Sequence, residues 1–262
     1  MGTSHPSKRP GRLTKGITRR TRKRTPIETD GARADRRVAI VKKALQGLLA
    51  AGMALVLLTV AMVLPWRWFA PPTSAFMLRE RLLNDQPVDY RWASWDRLEP
   101  HLAIAVVAAE DQKFPFHHGF DFQSIVQALE EKGGSRRGAS TISQQVAKNL
   151  FLWPGRSYVR KGIEAYLTLL IEALWPKRRI LEIYLNVAEF GPGIFGAEAA
   201  SRKFFSKPAS RLSLGEAALL ATVLPSPKRM SLRRPSDYMR TRAREIRTWV
   251  HQLGGTHYLE DL

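Results

Sequence analysis

The sequence predicts a mainly α-helical fold preceded by one apolar helix of membrane-spanning length. Three observations carry that prediction. After residue 91, apolar residues recur at three- and four-residue spacing between Ser or Thr caps and Pro or Gly stops. No segment sustains the apolar–polar alternation of a half-buried strand. Residues 45–64 run for 20 positions without a charge, the length that crosses roughly 30 Å of hydrocarbon.

Charge and composition divide the chain. Of its 262 residues 44% are apolar, enough for one domain with a real core. Residues 1–43 carry 14 Lys and Arg against 3 Asp and Glu, whereas the rest carry 28 against 20. So basic a segment, rich in Thr, Pro and Gly and without apolar periodicity, is expected to be a disordered tail. Its charge reads as attraction to nucleic acid or membrane, or as a topology signal. Cysteine is absent, which excludes disulfides, thiolate metal sites and a Cys nucleophile.

Residues 44–64 are expected to be the transmembrane anchor. Lys42 and Lys43 flank the apolar run on one side and Trp66, Trp68 and Phe69 on the other. The positive-inside rule then puts the tail in the cytoplasm. A cleaved signal peptide is the competing reading, but the run is long for one and no small-x-small cleavage site follows it. Residues 65–90, punctuated by prolines, are expected to be a juxtamembrane linker, and residues 91–262 the folded domain, opening at Trp92 and Trp95.

Within that domain each helix has its own warrant. Pro100 suits a first helical turn, and the nearly unbroken apolar run His101–Ala109 predicts a helix wrapped by core on most sides. Ser140 and Thr141 cap a helix running to about Leu150. Ser157 caps another, to Trp175, where Pro176 ends it. A shorter helix is expected over Arg178–Asn186. Ser213 and Glu216 form a capping box before an apolar helix stopped by Pro225 and Pro227. The last helix, Ser236–Leu253, ends at Gly254 and Gly255.

Three stretches carry chemistry. The first is Glu110-Asp-Gln-Lys-Phe-Pro-Phe-His117-His118-Gly119-Phe-Asp121. A carboxylate brought by a buried helix to such a loop is a candidate general base with a raised pKa. A surface Glu-Asp pair capping the next turn is the alternative. His117 and His118 have no partners at metal-ligand spacing. The second stretch is Gly138-Ala-Ser-Thr-Ile-Ser-Gln-Gln-Val-Ala-Lys148-Asn149. Hydroxyls and free N–H groups at a helix start make an anion site, and Thr141, Gln144 and Lys148 share one helical face. Taken alone, these residues favour a capped amphipathic helix whose polar side chains face solvent. In the third stretch, Arg160 and Lys161 lie one turn before Glu164. That is an intrahelical ion pair or a charged group facing a phosphorylated substrate.

The first stretch resembles Glu-Asp-x-x-Phe-x-x-His-x-Gly-x-Asp, the lead motif of the peptidoglycan glycosyltransferases of glycosyltransferase family 51. Gly138–Asn149 resembles the family's second motif and Arg160–Glu164 its third. Ile180-Leu-Glu-x-Tyr-Leu-Asn186 through Lys207 resembles the fourth, and Glu216 to Pro227 the fifth. Phe204 stands where the family often has Tyr, a mild departure. No Ser-x-x-Lys and no Lys-Thr-Gly occurs, so a transpeptidase domain is expected to be missing, as in the family's monofunctional members.

The resemblance implies a lysozyme-like glycosyltransferase domain that polymerises lipid II at the outer face of the bacterial inner membrane, in the periplasm. The growing glycan strand, activated as an undecaprenyl pyrophosphate, would be the donor. Incoming lipid II would attack through its 4-hydroxyl, with inversion to a β-1,4 link and release of the lipid pyrophosphate. Glu110 matches the general base, and Glu164 the second glutamate, near the leaving group or positioning substrate. Lys148, Arg160 and Lys161 would meet the pyrophosphate. Asp111, Phe114, His117 and Gly119, with Ser140, Thr141, Gln144, Gln145 and Asn149, match substrate-binding positions. The segment Phe120–Leu129 is apolar enough to dip into the membrane interface or to serve as core.

The implied partners are lipid II, the glycan strand, the inner membrane, and cell-division or wall-synthesis proteins, with no nucleic acid. A pyrophosphate leaving group is compatible with Mg²⁺ or Mn²⁺, and the sequence offers no dedicated ligand set for either. Two other classes stand beside this one. A lysozyme-like hydrolase would protonate a sugar leaving group and has no need of the cationic cluster. A membrane-tethered binding protein would account for the basic tail but not for five ordered motifs.

Overall fold

A computed structural model describes residues 1–3, 30–123, 140–155 and 157–262. Most of the basic tail therefore lies outside the described residues, as do Gly138 and the greater part of the segment Phe120–Leu129. The chain divides into two compact units, residues 1–54 and 55–262.

The first helix, α1, spans Asp30–Val63 and passes into a short 3₁₀ turn at Leu64–Arg67. Residues 35–67 contain an 18-residue window with a mean hydropathy of 2.5 and are long and apolar enough to cross a membrane. Leu48, Leu49, Leu57 and Leu58, spread around the helix, are all exposed, a surface that an apolar solvent would cover. The last turns of α1 are fastened to the folded unit. Thr59 Oγ1 and Tyr166 Oη lie 2.6 Å apart. Arg179 donates to the carbonyls of Trp66 (2.8 Å) and Phe69 (2.6 Å).

Residues 65–90 correct the expected linker: they are folded. Helix α2 (Ala75–Leu83) is capped by Ser74, whose hydroxyl accepts from the Met77 N–H at 3.2 Å. Met77 is fully buried, and Tyr90 Oη donates to Pro71 O at 2.7 Å. Closely spaced prolines mask this helix in the sequence, because they interrupt the apolar period on both sides of it.

The central element is α3 (Pro100–Glu110), in which Leu102 through Ala108 are all buried. Helices α8 (Leu214–Val223) and α9 (Asp237–Gln252) pack on it from one side. A second layer joins α4 (Ile142–Phe151) to α5 (Tyr158–Leu174) and α6 (Lys177–Val187), with α2 resting on α4. Helix α7 (Ala197–Phe205) lies between α6 and a small sheet.

That sheet was not expected. Its strands β1 (Asp89–Tyr90), β2 (Glu189–Gly191) and β3 (Ile194–Phe195) run in the order β1-β3-β2. Strand β1 is parallel to β3, placing Asp89 opposite Ile194, and β2 is antiparallel to it. Strands of two or three residues are too short to display alternation. The turn between β2 and β3 needs glycine at Gly193, where φ is +70° and a Cβ would stand 2.4 Å from Pro87 O.

Candidate active site

Two carboxylates leave the end of α3 in different directions. Asp111 abandons the helix, and its Oδ2 accepts the Ile142 N–H at 2.9 Å, in the first turn of α4. Both its oxygens lie 3.0 Å from His117 Nε2. His117 Nδ1 accepts the Gly119 N–H at 3.1 Å, which leaves Nε2 as the protonated nitrogen. The Thr141 hydroxyl donates to Gly119 O at 2.7 Å and closes the knot.

Several residues expected to contact substrate have partners within the fold. The free N–H groups at the start of α4, expected to attract a substrate anion, already hold an internal one, the Asp111 carboxylate. Thr141 and Gln144 form a reciprocal capping box, each side chain accepting from the other's backbone N–H, and both are buried. Phe114 is fully buried, with the Lys177 ammonium 4.5 Å from its ring centroid. Gly119 (φ +91°) crosses α5 so closely that a Cβ would meet Thr168 Cγ2 at 2.8 Å. Asp111, Phe114, His117, Gly119, Thr141 and Gln144 thus hold the loop against α4 and α5. Ser140 stands half-buried just before the cap.

Glu110 turns the other way. Among the described residues its Oε2 accepts one hydrogen bond, from Gln145 Nε2 at 2.8 Å, and Gln145 Oε1 in turn accepts from Tyr184 Oη at 3.2 Å. Burial pushes the Glu110 carboxyl above the usual carboxylate range. The Gln145 hydrogen bond and the charges of Lys148 and Arg242 oppose that rise without cancelling it, and neighbouring Asp111 adds to it. The face of α4 that reaches this carboxyl is Gln145–Lys148–Asn149, one position round from the expected Thr141–Gln144–Lys148 face.

Across Lys148 lies the third motif. Glu164 is 2% exposed and ion-paired to Arg160 Nη1 at 2.7 Å and to Lys161 Nζ at 2.5 Å. Burial lowers the Lys148 pKa, the attraction of Glu164 and Glu110 counteracts it, and the charges of Arg160 and Lys161 reinforce it. Among the described residues Arg160 Nε is buried with no hydrogen-bond partner, a donor left over for an arriving anion. Three cations therefore converge around one fully paired carboxylate.

A cavity of about 330 Å³ is lined by Gln145, the residue that hydrogen-bonds Glu110. Gln145, Lys148 and Asn149 line one wall, and Phe76, Glu189 and Lys228 belong to the rest of its lining. The last three, with Tyr184, line the cavity without having been singled out in the sequence. Tyr184 and Glu189 lie inside the fourth motif and Lys228 directly follows the fifth, but nothing local marks Phe76. No group of three or more His, Asp or Glu side chains suited to a metal occurs among the described residues. The charge near Lys148 is supplied by ammonium and guanidinium groups.

A family model described as Transglycosylase matches residues 78–251. The biosynthetic peptidoglycan transglycosylase of Pseudomonas aeruginosa is 54% identical over 208 residues, covering 77% of this chain and 90% of that protein. The protein of the same name from Xanthomonas campestris is 50% identical over 245 residues, 88% of this chain and 98% of its own length. A Pseudomonas putida counterpart is 52% identical over 211 residues, 78% and 89% of the two chains.

Proposed function

Since the chain belongs to the transglycosylase family and serves peptidoglycan synthesis, we propose that it polymerises lipid II into β-1,4-linked glycan, with Glu110 as general base. The observation that carries this reading is the asymmetry across Lys148. On one side stands a carboxylate with a raised pKa and a single amide partner, on the other a cluster of cations.

In the proposed step, the ionised Glu110 removes the proton from the 4-hydroxyl of the accepting sugar. The oxygen attacks the anomeric carbon of the donor from the face opposite the lipid pyrophosphate. The new C–O bond forms as the bond to the pyrophosphate oxygen breaks, and the configuration inverts. Negative charge leaving with the undecaprenyl pyrophosphate is met by Lys148, Arg160 and Lys161, with Glu164 holding the last two in place. A pyrophosphate departs without being protonated, so one base is sufficient. A glycoside hydrolase would instead need a second carboxyl able to act as an acid, and Glu164 is held between two cations. No transpeptidase step is proposed.

The apolar helix would hold the enzyme where both lipid-linked substrates lie. Lys42 and Lys43 favour a cytoplasmic N-terminus and a catalytic unit on the periplasmic face of the inner membrane. The test uses full-length protein in detergent with labelled lipid II, comparing wild type with Glu110→Gln. Muramidase-sensitive polymer from wild type and none from a folded Glu110→Gln variant is the expected result. Shortening of preformed glycan with lipid II left intact would replace polymerisation by hydrolysis.

A further inference from the structure

The chain beyond the last long helix comes back to the residue that follows the two carboxylates. After α9 it turns at Gly254 (φ +92°) and Gly255 (φ +70°), a conformation that favours glycine, into a 3₁₀ turn at Gly255–Leu259. That turn packs on α3 and α9, and its Leu259 is buried. Tyr258 Oη donates to Gln112 O at 2.6 Å, across 146 positions. The Tyr258 ring meets Phe116 edge-on, with ring centroids 5.8 Å apart. The family match ends at residue 251 and does not reach this turn.

Gln112 marks the exit from α3. Its side-chain amide reaches back to donate to Ala108 O at 3.0 Å. Asp111, just before it, keeps a helical N–H bond to Val107 O at 2.9 Å while its carboxylate is tied to α4. Tyr258 adds a hold from outside both helices. Glu110 has less: among the described residues its carboxyl has the one hydrogen bond from Gln145. The direction in which Glu110 leaves α3 therefore depends on how firmly the two residues after it are held. Burial and the charge of Asp111 raise the Tyr258 pKa above its ordinary 10.0, so the hydroxyl stays a donor wherever a carboxylate titrates.

We propose that Tyr258 is a positioning residue for Glu110, its hydroxyl fixing the exit of α3 through the Gln112 carbonyl and so the placement of the carboxyl beside Gln145. This rests on the reading of Glu110 as general base and extends the catalytic machinery to the C-terminal turn. Tyr258 itself touches no reacting atom in this account. It acts through backbone, so its removal should be felt in the chemical step and not in substrate binding.

The experiment uses the full chain in detergent with labelled lipid II and follows kcat, KM and the pH dependence of kcat/KM. Tyr258→Phe keeps the ring against Phe116 and removes only the donor. Its kcat is expected to fall about tenfold with KM within about twofold of wild type, since a small displacement of a catalytic group is costly in rate. The groups facing Glu110 are Asp111 beside it, Gln145 and Lys148 from α4, Arg242 from α9 and Tyr184 from α6. None of these is altered in Tyr258→Phe, so a shift in the acidic limb reports the surroundings of Glu110. A looser helix end admits water, relieves the burial that raises the carboxyl, and moves that limb to lower pH. Ser236→Ala is the control. It removes the cap at the other end of α9, where Ser236 Oγ accepts the Met239 N–H at 3.3 Å, and lowers stability without touching the exit of α3. A lower kcat and a lowered limb in Tyr258→Phe, with both unchanged in Ser236→Ala, support the assignment. A limb that stays or rises, an unchanged kcat, equal changes in the two variants, or a loss confined to KM overturns it. Absence of polymer from wild type would instead overturn the reading on which it rests.

Discussion

Glu110 and Asp111 are one residue apart in sequence and opposite in electrostatic circumstance. Asp111 is gripped by a histidine and a backbone N–H at a helix start. Glu110 has one neutral amide. The satisfied carboxylate therefore stabilises the fold, and the under-satisfied one is left able to exchange a proton. Glu164 supplies a third state, buried yet fully ion-paired, which suits an electrostatic anchor better than a base.

The largest test of that contrast is Glu110→Gln. A general base contributes on the order of 10²–10⁴ in rate, so kcat should fall about a thousandfold. The same variant should melt at a higher temperature than wild type at pH 7. Because the folded-state pKa is raised, the native carboxylate is disfavoured above the ordinary value of 4.5, and stability falls as pH rises past it. The gain from Glu110→Gln should therefore be present at neutral pH and vanish below about that value. A lower melting temperature at pH 7 would show Glu110 to be as structural as its neighbour.

Asp111→Ala should behave in the opposite sense. Hydrogen bonds to a charged group contribute roughly 1.5–3 kcal/mol each, and this change strands both His117 and the Ile142 N–H. A loss of about 3 kcal/mol is expected, read as a lower denaturant midpoint with an unchanged slope. Were Asp111→Ala to melt like wild type and lose only activity, the assignment of the two carboxylates would have to be exchanged.

A smaller effect sharpens the picture of Glu110 itself. The Gln145 hydrogen bond favours the ionised carboxylate, so Gln145→Leu should move the acidic limb of kcat/KM to higher pH, a limb already above 4.5 in wild type. An unmoved limb would mean that another group titrates there. The smallest change is at the cap. Thr141→Ala removes the side-chain acceptor of the Gln144 N–H and the donor to Gly119 O, and should cost about 1–2 kcal/mol of stability with the pH profile unmoved.

Much of this molecule is written locally. The helix begun by Pro100 and the boxes Thr141–Gln144 and Ser213–Glu216 depend on residues within one turn of each other. So does the apolar run of α1, and all are legible in the sequence for that reason. The ordered motifs likewise placed Glu110, Lys148, Arg160 and Glu164 among the candidates. What the sequence could not disclose depends on distant segments meeting. Asp111 fills the start of α4 across 31 positions, Asn186 satisfies the Ala93 N–H across 93, and Lys228 reaches Glu80 across 148. A hydrogen bond or ion pair of that span has no periodicity to betray it, because its energy is realised only when packing brings its partners together. Local spacing determined the helices and offered the charged groups, and packing alone decided which became scaffold and which were left facing the cavity.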